Sequence, residues 1–136
     1  MSRPAWVIAV AAVAACTPEK PQPQPPKAPN TELIVGEYAQ RKPAGEKAMR
    51  FETGGTMRLA KTRTELDRSP HLADGTWKLD GDQLTLTYTR GACSEKPAEQ
   101  TGTYKVVLSR IGVRFTKVED ACEARASLDG QTWWRQ

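Results

Sequence analysis

The chain has 136 residues, of which 26% are charged and 38% hydrophobic, with a formal net charge of +4. That length suits a single domain. Basic and acidic residues are interleaved, with no basic stripe or tail, which argues against nucleic acid as a partner. The chain has three cysteines and one histidine, His71; with Cys16 taken up by the N-terminal motif described below, the two remaining thiols do not complete a zinc site, so no metal and no cofactor are expected.

Residues 1–15 read as a signal peptide: Arg3, an apolar run from Trp6 to Val13, then Ala14 and Ala15. The run is too short to span a bilayer. Val13-Ala14-Ala15-Cys16 resembles the lipobox of bacterial lipoproteins. That resemblance implies cleavage before Cys16, diacylation of its thiol and usually a further acyl chain (palmitate) on its amine. At about 0.8 kcal/mol per buried methylene, two or three chains anchor a protein durably at a membrane. Thr17 after the cysteine, rather than aspartate, implies the outer membrane by the sorting habit of such lipoproteins. Residues 16–31 form a linker with six prolines after Cys16. At about 3.1 Å per residue in polyproline II, it spaces a domain roughly 45 Å from the membrane.

Residues 32–136 carry the domain. Short alternating runs broken by turn residues predict an all-β fold of eight strands, near 33–40, 46–52, 56–64, 75–80, 83–90, 101–109, 112–118 and 131–135. Leu84-Thr-Leu86-Thr-Tyr88 is a strict apolar–polar alternation, and Asp80-Gly-Asp82 is a strong hairpin signal. Tight and long connections alternate along the chain. In an antiparallel up-and-down barrel, all long loops then lie at one end, including those holding Cys93 and Cys122. An even cysteine pair outside the cytoplasm predicts a Cys93–Cys122 disulfide once Cys16 is lipidated. Of Trp133 and Trp134, adjacent on a strand, one should pack inward.

An eight-stranded meander with one loopy end resembles the lipocalin and calycin barrels. Gly36-Glu37-Tyr38 stands where that family has Gly-x-Trp on its first strand. The resemblance implies that this ring plugs the closed end beneath a late arginine, either Arg125 or Arg135. The domain is short for a lipocalin and lacks the long helix before the last strand.

Enzyme motifs are absent, so no catalytic residue is expected. His71 falls in a loop and reads as an exposed histidine; an acid–base pair with Asp74 would lack a nucleophile. Two functional readings follow. In the first, Lys61, Arg63, Arg90 and Lys117 continue inward-facing strand phases at the loopy end. They form a cationic rim above Trp77, Tyr88, Tyr104 and Phe115 that would bind a small, anionic amphiphile such as a fatty acid. In the second, those bulky residues fill a closed barrel, and the loops bind a protein partner, as an inhibitor or assembly factor of the cell envelope.

Overall fold

The structure, a computed structural model, describes residues 29–41 and 45–136. The expected signal peptide, the expected lipidation site Cys16 and nearly all of the proline-rich stretch lie outside the described residues. A short helix, α1 (Asn30–Leu33), leads into strands β1 (Gly36–Ala39), β2 (Ala48–Phe51), β3 (Thr56–Ala60) and β4 (Ala73–Asp80). These are followed by β5 (Gln83–Gly91), β6 (Thr101–Leu108), β7 (Gly112–Asp120), a one-turn helix α2 (Glu123–Ala126) and β8 (Thr132–Arg135). Every neighbour pairs antiparallel, and β1 pairs β8, so the sheet closes into an eight-stranded barrel in sequence order.

The eight expected strands are all present. Residues 33–35 are the exception at the start, where α1 and its exit replace the strand. Asn30 of α1 lies two residues before the expected domain start, and its Nδ2 donates to the Gly81 carbonyl in the β4–β5 turn. Residues 61–64 also leave the expected strand 3, because Thr64–Asp67 turns into a 3-10 helix that folds back outside the barrel.

Alternation explains the interior. Leu84, Leu86 and Tyr88 of β5, Tyr104 and Val106 of β6, and Val113 and Phe115 of β7 are buried. They join Tyr38, Met49, Phe51, Met57, Trp77 and Trp133 in one continuous core. Edge-on ring pairs run through it: Tyr38–Phe51 at 5.9 Å, Phe51–Trp77 at 6.1 Å and Tyr104–Phe115 at 6.2 Å between centroids. Such pairs add about 0.5–1.5 kcal/mol each beyond the burial of their area. Trp133 is the inward tryptophan; Trp134 is half-buried, with the Arg41 guanidinium 3.8 Å from its ring centroid.

Two bulges break the alternation. Asp74 pairs Arg90 while Gly75 pairs Tyr88, leaving Thr89 without an opposite residue. Thr103 pairs Glu119 while Tyr104 pairs Lys117, leaving Val118 unopposed. A bulge moves every later side chain of its strand to the other face.

Candidate functional site

Each end of the barrel is sealed by an arginine. At the tight-turn end, Tyr38 of β1 points inward and its hydroxyl donates to the Ile34 carbonyl at 2.8 Å. Arg135 of β8 lies over this ring, 4.9 Å from its centroid, and donates to the Tyr38 hydroxyl at 2.8 Å and the Val35 carbonyl at 3.1 Å. It also donates to the Leu33 carbonyl. Gly36, at φ +143°, lets Arg135 cross the strand, since a Cβ there would stand 2.9 Å from its Nη1. Arg135 is therefore the arginine paired with the Gly-x-Tyr segment.

Arg125 does different work at the mouth. It projects from α2 into the barrel and is 1% exposed. Its Nε and Nη2 form a two-pronged contact with Asp120, both at 2.7 Å. Nη1 donates to the Gln100 carbonyl and Nη2 to the Glu99 carbonyl, both at 2.8 Å. The guanidinium lies 4.6 Å from the Tyr88 ring centroid. Asp120 also accepts from the Tyr104 hydroxyl and, at 2.9 Å, from the Cys122 backbone N–H. Its place inside follows from the Val118 bulge, which puts Asp120 on the inner face opposite Gly102. A Cβ on Gly102 would meet the Arg125 Nε at 2.8 Å, so glycine leaves room for the pair.

Burial alone would push the Asp120 carboxyl up, but hydrogen bonds from Arg125, Tyr104 and Cys122 prevail and hold it below the usual carboxylate range. Burial also pushes the Tyr88 phenol up to about 12. Tyr104 is raised by burial and then by its hydrogen bond to ionised Asp120. A Cys93–Cys122 disulfide, with Cα atoms 5.9 Å apart, ties the β5–β6 loop to the segment before α2. Loop carbonyls, guanidinium, carboxylate and disulfide thus close the mouth as one unit.

The residues expected to bind an amphiphile divide into two sets. Trp77, Tyr88, Tyr104 and Phe115 do meet inside the barrel, as members of its packed core. The four basic residues do not form an inner rim. Arg90 is turned to the outer face by the Thr89 bulge, beside Asp74. Arg63 reaches outward to Glu37, at 3.4 Å. Lys61 and Lys117 are exposed. His71, expected to be exposed, is nearly buried; its side chain is 7% accessible and its Nδ1 lies 2.7 Å from Asp74 Oδ1.

The burial of Asp120 is not legible in the sequence, because a bulge decides its face. Arg125 was one of two candidates, and only the register of β8 separates them. Among the described residues no group of three or more metal-ligating side chains is assembled. Comparison of the chain with protein-family models, curated proteins and solved structures finds no match.

Proposed function

We propose that the protein is a non-enzymatic bacterial lipoprotein, anchored to the cell envelope through acyl chains on Cys16. Its lipocalin-like barrel acts as a closed platform that binds a protein partner through the loops at its mouth. The observation that carries this reading is the occupied interior. The aromatic side chains that would line a ligand cavity pack into one core, and Arg125 and Asp120 fill the space above them. Amphiphile carriage would need that space, and a cationic rim that the four basic residues do not make.

The direction of attachment supports the same reading. The chain enters the barrel at the tight-turn end, where Asn30 is bonded to the β4–β5 turn. A lipid on Cys16 then leaves the mouth facing away from the membrane surface, with Lys96 and Glu123 exposed around it. Thr17 favours the outer membrane as the site.

Photo-crosslinking in cells tests this proposal. A photoreactive residue at Lys96 or Glu123 should give a protein adduct of discrete mass. The same group at Asp82 or Arg110, exposed at the tight-turn end, should give none. Equal adducts from both ends, or adducts to lipid alone, would overturn it.

A further inference from the structure

The β3–β4 connection, residues 61–72, runs back along the outside of the barrel as a strap. Leu66 is its apolar anchor, fully buried against Ala48 and Ala60, two small residues that sit opposite each other on β2 and β3. His71 is its polar anchor. Nε2 lies 2.9 Å from the Leu66 carbonyl and Nδ1 2.7 Å from Asp74 Oδ1. Both partners are acceptors: a carbonyl oxygen has no proton to give, and neither has an ionised carboxylate. A neutral imidazole donates through one nitrogen only. The two bonds together therefore need one proton more than a neutral ring and an ionised carboxylate carry.

We propose that this proton is the latch of the strap: residues 61–72 lie closed over β2 and β3 while the His71–Asp74 pair holds it, and open as rising pH removes it. Once the proton is gone, one of the two bonds faces a lone pair with a lone pair and is lost. Opening withdraws Leu66 and uncovers the seat between Ala48 and Ala60.

The surrounding charges are those of the strap (Lys61, Arg63, Glu65, Asp67 and Arg68) and of the strands beneath it. Glu37 stands on β1, where it pairs with Arg63 and Arg50, with Arg50 and Glu52 at β2, Arg58 on β3, Asp74 on β4 and Arg90 on β5. Arg50 binds Asp67 at 2.8 Å, and that hydrogen bond holds the Asp67 carboxyl below its usual range. The Arg50–Asp67 pair thus keeps its charges when the His71 proton leaves. Arg58 donates to the same Leu66 carbonyl at 3.3 Å, consistent with that oxygen acting as a double acceptor.

Asp74→Asn separates the latch from mere packing. The asparagine amide can donate to Nδ1 while Nε2–H donates to Leu66, so a neutral ring completes both bonds. Amide hydrogen exchange is measured on the full chain for Leu66, Arg68 and Leu72, whose N–H groups are bonded in the closed strap. Taking the ratio of natural protein to variant at each pH cancels the intrinsic pH dependence of exchange. That ratio should climb with pH, by up to about tenfold per pH unit for one linked proton. A ratio independent of pH would overturn the proposal.

His71 is the single histidine of the chain, so its ring nitrogens are read directly by NMR in the natural protein. Wherever the strap is protected, either both should carry protons or Nε2 alone should, with the Asp74 carboxyl protonated. A neutral ring beside an ionised Asp74 beneath a protected strap would refute the latch, even if the variant failed to fold.

Discussion

Arg125 and Arg135 each lie over a tyrosine, yet they differ in what surrounds the charge. Arg135 binds backbone carbonyls and a phenol, whereas Arg125 is matched to a carboxylate that is itself fully buried. Removing one partner of such a pair strands the other. Arg125→Met is expected to lower stability by about 3–5 kcal/mol, measured by chemical denaturation. Adding Asp120→Asn should recover part of the loss, because it removes the stranded charge while the amide oxygen accepts from the Cys122 N–H and the amide NH2 donates to the Tyr104 hydroxyl oxygen.

The depressed Asp120 carboxyl sets the acid limit. Its stabilisation is present above the unfolded value near pH 4 and lost as pH falls through the folded one, so stability should decline only below about pH 4. The tyrosines set the alkaline limit. All three in the chain, Tyr38, Tyr88 and Tyr104, are buried and raised, chiefly by that burial. Their contribution is intact below the unfolded value of about 10 and is lost as pH rises through the folded ones. Phenolate absorbance should therefore appear only with alkaline unfolding, in one step. Absorbance growing in a protein that is still folded would contradict the buried positions.

At the scale of the element, two single-residue bulges decide what faces the interior. The Thr89 bulge turns Arg90 outward and the Val118 bulge brings Asp120 in. Gly102 then becomes a packing requirement, since a methyl group there collides with the Asp120–Arg125 pair. Gly102→Ala should cost about 1–3 kcal/mol, as overpacked cores do, and thermal unfolding checks it.

The strands themselves were legible because a period of two and turn residues such as Asp80-Gly-Asp82 are local signals. The alternation of tight and long connections also places Cys93 and Cys122 at one end from the sequence alone. The bulges were not legible, because an extra residue on one strand shows only against its partner. The burial of His71 was hidden for a related reason. It depends on a strap folding back over Ala48 and Ala60, and nothing within Ser69-Pro70-His71 announces that contact.

For the whole molecule, closure by β1 and β8 removes every sheet edge along the paired strands, which protects an all-β surface from strand addition. The β1–β8 seam is short, with two paired positions, and Arg135 and Tyr38 reinforce it at the tight-turn end. The mouth relies on the disulfide. Its closed loop, with a sequence separation of 29, is worth about 3–4 kcal/mol on the chain-entropy model. Reduction should lower the melting temperature by about 10 °C or more, with free thiols quantified in the same sample.

The interior of the barrel is occupied by its own aromatic core, with the buried Arg125 above it. The most direct test is a titration of the disulfide-bonded full chain with a fluorescent fatty acid. The filled barrel predicts no saturable binding. One-to-one binding, displaced by unlabelled fatty acid and lost in Arg90→Ala or Lys61→Ala, would contradict it and restore the interior as a ligand site.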